Sequence, residues 1–323
     1  MQEGRPERAV EGERMQSFGG FILTRAARAA LTIWLVVSVV FIILRLSGDP
    51  VTLLLSENAT PDQIEALRVR LGLDAPIFVQ YGRYWASLVQ GDFGQSLRQR
   101  QPALGLVFER MPATLQLAAA AFGLAAVIGL PIGILAALLR GTFWDRLAMA
   151  LISILQSGPA FFIGIILILV FSVRLGLLPS SGRSNGLKSL ILPAVTLSGF
   201  TMASMARLAR STLLDVLRVD YIRTARAKGL KESTILLRHA LRNAALPLIT
   251  VMGLELGGLL TGAVITETVF AWPGVGRLAV TAVSSRDYPV VQASVLFIAT
   301  IFILINFLID CSYALIDPRV RGA

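Results

Sequence analysis

The chain has one cysteine and one histidine in 323 residues, and only 15% of its residues are charged. Each scarcity closes off a reading. A single cysteine, Cys311, excludes an intrachain disulfide; it lies in the last apolar segment and reads as a small packing residue. A single histidine, His239, excludes a His-based metal site. No G-x-x-x-x-G-K-[ST] run is present, so the chain has no phosphate-cradling loop of its own. Soluble domains carry about 25% charge, so 15% charge beside 55% apolar residues marks a membrane chain. Acids are scarcer than bases, 20 against 30, for a net charge of +10. That excess sits in short stretches between apolar runs, which fits cytoplasmic loop charge rather than nucleic-acid binding.

Six segments are long enough to span about 30 Å of hydrocarbon: 29–46, 113–139, 147–173, 191–206, 244–266 and 290–315. The fourth, "LPAVTLSGFTMASMA", is short and studded with Ser and Thr, so it needs shelter from other helices. The N-terminal residues 1–28 are charged and lack an apolar core followed by a small-residue cleavage site. The first span therefore reads as an uncleaved signal anchor. With the N-terminus inside, 18 of the 30 Lys and Arg fall on the cytoplasmic side, 9 of them between Arg207 and Arg242. This asymmetry places both termini in the cytoplasm. It leaves residues 47–112 outside, the span-bearing residues 113–316 carrying a cytoplasmic loop over 207–243, and a cytoplasmic tail at 317–323.

The outer segment is patterned for helices. Thr60-Pro61-Asp62-Gln63 is a capping box with Pro at the first helical position. Gly72 stops that helix, Pro76 opens a second and Gly91 stops it. Two short amphipathic helices there suit a docking surface or a lid on the bilayer. Glycine pairs four residues apart, Gly129/Gly133, Gly253/Gly257 and Gly258/Gly262, allow close helix approach in lipid.

A few ionisable or polar groups lie inside the spans, among them Gln156, Glu255, Asn306 and Asp310. His239 lies in the cytoplasmic loop, so no His–Ser pair exists within the membrane and an intramembrane hydrolase loses its main support. A carboxylate at the bilayer centre costs about 2.5–3.5 kcal/mol on insertion scales, so Glu255 must face protein or water. Either it lines a solute path, with Gln156 a second candidate, or it hydrogen-bonds a neighbouring helix. Asp310, near the cytoplasmic end, reaches water.

"DYIRTARAKGLKESTILLRHALRNAALP", from Asp220 to Pro247, is built rather than merely polar. Asp220 is placed to cap a helix over 221–228, with Lys228 at its negative end. Gly229 ends it. Ile222, Ala225 and Gly229 share one face, and the small Ala225 and Ala227 let the backbone enter a groove on another protein. Such a short helix joined to a span is a lever; a solvated loop held to anionic lipid by its arginines is the other reading.

The segment also resembles the cytoplasmic loop of ABC importer permeases, in the version found in the B-type subunit of dipeptide/oligopeptide/nickel systems. "RTARAKGL" and "LRHALRNAALP" carry the likeness, with Arg223-Thr224-Ala225 in place of Glu-Ala-Ala and Gly229 kept. "LRLSGDP", "LGLDAPIFVQYGRYW", "GDFGQS", "ERMPATLQLA", "ETVFAWPGVGRL", "SRDYPVVQ" and "DPRVR" extend it, in order, over nearly the whole chain.

The resemblance implies an all-α membrane protein with the type I ABC importer permease fold and no catalysis of its own. It implies a second related permease subunit, two ATPase subunits that bind ATP and Mg²⁺, and a periplasmic solute-binding protein. Tyr221, Ile222, Arg223, Thr224, Ala225, Arg226, Ala227, Lys228 and Gly229 would form the coupling helix against an ATPase. Trp272, Pro273, Gly274 and Val275, in a turn fixed by Pro273 and Gly274, would meet the binding protein, although Trp272 alone also suits a lipid-interface anchor. The competing reading is a self-contained secondary transporter for a small polar solute; those often carry inverted repeats and broken helices, and no repeat stands out here.

Overall fold

Long apolar runs interrupted by Gly, Pro and charge favour helices throughout. The computed structural model describes residues 7–46, 51, 60–70 and 72–316. Every regular element among them is a helix, with one isolated antiparallel bridge between Gln95 and Pro102. The expected tail at 317–323, with its "DPRVR", lies outside the described residues, as do the side chains of Asp310 and Cys311.

Two compact units divide the chain, residues 1–112 with 274–323, and residues 113–273. The first contains α1 (Glu7–Leu46), α2 (Pro61–Arg70), α3 (Ile77–Val89) and the start of α4 (Ala103–Leu138). The capping box forms as the sequence predicts: the Thr60 amide donates to Gln63 Oε1 at 3.1 Å, and the Gln63 amide to Thr60 Oγ1 at 3.4 Å. Gly72 (φ 65°) and Gly91 (φ 75°) follow α2 and α3 in the left-handed region that favours glycine. One face of α3 packs on α1: Tyr81 shares a 2.7 Å hydrogen bond with Ser38, and Tyr84 stacks on Phe41 at 5.7 Å. Burial there pushes the Tyr84 phenol well above its usual pKa. The same unit closes with α10 (Val275–Ser284) and α11 (Tyr288–Ile316) around a core of Leu106, Val107, Val275, Tyr288 and Val291.

The second unit holds the rest of α4, then α5 (Phe143–Ser157), α6 (Ala160–Arg174), α7 (Leu187–Val216), α8 (Asp220–Ala227) and α9 (Leu241–Val269). Its axis is α7. Of the best apolar window of this helix, 78% is buried, against 11% for the first span, so the Ser- and Thr-bearing segment is sheltered as its composition demands. In lipid, apolar surface alone does not drive helices together, and small residues that let backbones approach do. Gly129 and Gly133 of α4 serve this purpose: a Cβ at either would lie 2.7 Å from the Met202 carbonyl oxygen or 2.2 Å from that of Ala206, both on α7.

Span boundaries differ from expectation where helices outrun apolarity. The second span starts at Ala103, because the helix runs on through Glu109, Arg110 and Pro112. The third expected span is not one helix: α5 and α6 meet at 102°. Gly158 is extended (φ −103°, ψ 151°), as a residue before proline prefers, and Pro159 starts the new helix. Among the described residues, five helices are long and apolar enough to cross a membrane, and a sixth crossing exists if the bent pair is one span.

Candidate functional site

A two-turn helix with a charged sequence needs an anchor to hold its place. In α8 the anchors are Ile222 and Ala225, 0% and 7% exposed, packed with Ala137, Leu213, Ile235 and Ala240. Tyr221, Arg223, Thr224, Arg226, Ala227 and Lys228 all remain exposed. Ala225 therefore faces this chain's own core and not a foreign groove, which corrects the expectation drawn from its small size; Ala227 stays outside. Asp220 is the first helical residue and Val219 occupies the cap position without a side-chain cap bond, so Asp220 does not cap the helix. Its carboxylate instead accepts from Arg223 at 3.3 Å.

Beyond α8 the chain reverses at Gly229, whose φ is 77°. Nothing lies within 4 Å of where its Cβ would be, so backbone conformation alone demands glycine there. Across this turn Arg226 donates to both oxygens of Glu232, at 2.7 and 3.2 Å. That hydrogen-bonded guanidinium holds the Glu232 carboxyl below its usual pKa. Asn243 donates to the Tyr221 hydroxyl at 2.8 Å. The helix is thus latched to the lead-in of α9, while Leu213, its contact on α7, sits one turn beyond Arg210. Arg210 makes a two-pronged bond to the buried Asp145 carboxylate at 2.7 and 2.8 Å, joining α7 to the start of α5. In the sequence Arg210 registers only as loop charge, and nothing local singles out Asp145.

The two intramembrane candidates both have partners in the same unit. Glu255 accepts from Thr201 Oγ1 at 3.2 Å, the helix-to-helix bond offered as one reading, and it is half-buried. Gln156 accepts from Arg207 and lies just before the α5–α6 bend.

The resemblance assigns the turn after α9 to the binding protein; in the structure its side chains pack inward. Trp272 is 0% exposed, its indole N–H donates to the Ala113 carbonyl at 2.8 Å, and the Arg183 guanidinium lies 5.8 Å from its ring centre. The ring is buried among residues of its own unit rather than presented at a surface. Gly274 and Val275 are buried as well, and Pro273 is half-buried. Beside them, Glu267 is buried and accepts from Thr114 Oγ1 at 2.6 Å.

A feature that pattern reading missed joins "GDFGQS" to "SRDYPVVQ". Asp287, 3% exposed, accepts from the Ser96 hydroxyl at 2.5 Å and from the Leu97 amide at 3.0 Å. The two motifs are 191 residues apart, and no local signal ties them.

Residues 129–322 match the family of binding-protein-dependent transport system inner membrane components, and residues 19–118 match the corresponding N-terminal family. Among curated relatives, the chain is 42% identical to a di/tripeptide transport system permease protein, DppB, of Pseudomonas aeruginosa, over 93% of this chain and 98% of that one. It is 43% identical to a glutathione transport system permease protein, GsiC, of Escherichia coli K12, with the same coverage. Among solved structures, the inward-facing methionine ABC transporter MetNI superposes with a TM-score of 0.54 at 22% identity, over 66% of this chain and 96% of that one. At that identity the likeness speaks to fold.

Proposed function

The chain belongs to the binding-protein-dependent transport system inner membrane components, and from that membership we propose that a peptide or peptide-like solute is what it passes through the membrane. It is the non-catalytic, multi-span permease half of an ABC importer, and ATP chemistry belongs to other subunits of such an assembly. Relatives named for di/tripeptide and glutathione transport support the solute class; opines and nickel chelates are its remaining members.

The finer arrangement follows the charge asymmetry. Residues 1–28, 207–243 and 317–323 face the cytoplasm, 47–112 face the periplasm, and 113–316 carry the remaining spans. A second related permease completes the path, two ATPases dock on the cytoplasmic loops, and a periplasmic binding protein delivers solute. Residues 221–229 form the coupling helix. Glu255 and Gln156 border the path, with their bonds to Thr201 and Arg207 exchanged for solute when it passes. The α5–α6 bend is a feature shared with secondary transporters, but membership in a binding-protein-dependent family outweighs it.

One observation carries the coupling role: Ile222 and Ala225 fix α8 to the body of the unit, while the rest of its surface is left exposed. A short helix so mounted transmits a push to α7 and α9 rather than yielding to it. Gly229→Val forces a β-branched residue into a left-handed turn, at about 1–2 kcal/mol. The variant is expected to insert at wild-type levels and to lose binding-protein-stimulated ATPase in the assembled complex. Normal stimulation would remove force transmission from this helix.

A further inference from the structure

We propose that the loop between α3 and α4, residues 95–101, is a preformed basic docking surface for an acidic patch on the periplasmic binding protein. The inference rests on the permease reading and on the placement of residues 47–112 outside.

Short polar loops usually order only on contact, and that ordering subtracts from affinity. This loop is ordered beforehand. Its neck is closed by the Gln95–Pro102 bridge, with the Ser96 amide donating to the Gln101 carbonyl at 2.8 Å and the Ala103 amide to the Gly94 carbonyl at 3.0 Å. Its interior is filled by the Ser96 hydroxyl, which accepts from the Gln99 amide at 2.9 Å while donating to Asp287. Asp287 immediately precedes α11, so the loop is fixed to the outer end of a span at one side and runs directly into α4 at the other. Arg100 is held at φ 55°, a conformation uncommon for a residue other than glycine. The tip therefore keeps one shape.

What that shape presents is "RQRQ". Arg98, Gln99, Arg100 and Gln101 are all exposed. Neither arginine side chain has a hydrogen bond or ion pair among the described residues, and the carboxylates that meet the loop's own backbone and hydroxyl are already engaged: Asp92 caps the Gly94 amide and Asp287 is buried under the loop. Two exposed guanidinium groups on a pre-ordered loop suit carboxylates on a folded partner, because little conformational entropy is lost when they pair. The turn at 272–275 has no comparable surface to offer, since Trp272 and Val275 are buried.

The test is a titration of ATPase stimulation by the system's own binding protein, using the complete complex in phosphatidylcholine nanodiscs with and without phosphatidylglycerol. Charge reversal at an interface acts mainly on association. The Arg98→Glu, Arg100→Glu double variant is expected to raise the half-maximal binding-protein concentration by about 10-fold or more. It should also flatten the salt dependence seen with the unaltered complex. The paired lysine variant is expected to titrate close to wild type, because charge is kept. A reversed-charge complex that titrates like wild type would overturn the proposal. So would a defect seen only with phosphatidylglycerol present, which would assign the arginines to lipid. A wild-type complex that no binding protein stimulates would overturn the permease reading itself, and this surface with it.

Discussion

The second unit contains two turns that end helices, and they are opposites. After α8 the chain reverses at Gly229 in open space, with exposed side chains on both sides and a single ion pair, Arg226–Glu232, across it. After α9 it reverses at Ala271, also left-handed at φ 47°, but here Phe270 and Trp272 are 1% and 0% exposed. Phe270 lies against Gly164 of α6, and its carbonyl accepts from the Gly182 amide at 2.9 Å, while Trp272 bonds to Ala113 of α4. The first turn is shaped by backbone preference and remains available to be gripped. The second is plugged by aromatic rings and ties three segments together. A positive φ marks both; burial alone separates the turn that is packed from the turn that is left open.

The contrast can be broken first at the plug. Trp272→Ala removes a fully buried indole and its hydrogen bond, at about 3–5 kcal/mol, and thermal unfolding in detergent is expected to show the largest drop of any variant described here. If the melting temperature is unmoved, the ring is not a structural plug. Next comes the anchor of the other turn: Ile222→Ala, at about 2–3 kcal/mol for a buried aliphatic truncation, should release α8 locally. Amide exchange over 219–231 would then rise while that over α7 and α9 stays protected; uniform loosening would contradict a local mount. Gly229→Ala should cost only about 1 kcal/mol, visible as faster exchange in the turn with no loss of insertion. The smallest effect belongs to the latch. The Glu232 pKa is lowered in the fold, so the pair's contribution is present above the ordinary carboxylate pKa of 4.5 and is lost as pH falls through the lower folded value. At neutral pH, Glu232→Gln is expected to change exchange at Gly229 by less than about 3-fold, because the pair is exposed; acidification to pH 5 should leave the unaltered turn intact.

Much of this architecture is legible in the residues. The apolar runs locate the spans, and the Thr60–Gln63 box and Gly72, Gly91 and Gly229 locate helix ends, because those effects are local. The Gly158-Pro159 pair was an available signal for the α5–α6 bend, overridden by the continuous apolarity around it. The short helix expected over 221–228 lies within one residue of α8, but which of its faces packs inward is not legible, since Ala225 looks the same whether it packs at home or abroad. Trp272 was unreadable for a related reason: an indole suits a core, a lipid interface and a partner equally, and the Ala113 carbonyl that decides the matter is 159 residues away. The Ser96–Asp287 bond is hidden by the same distance in sequence.

The glycine contacts between α4 and α7 have a mechanical consequence. With the Ala206 carbonyl seated in the space a Gly133 side chain would occupy, and that of Met202 in the space at Gly129, the two helices are keyed like a shaft and its slot. Sliding along the shared axis would drive a carbonyl into Leu130 or Ala137, the next residues on that face. Rotation about either axis meets the same obstruction. The two contacts therefore lock α4 and α7 against sliding or turning on one another at this crossing, so that a displacement of one of these helices is a displacement of both.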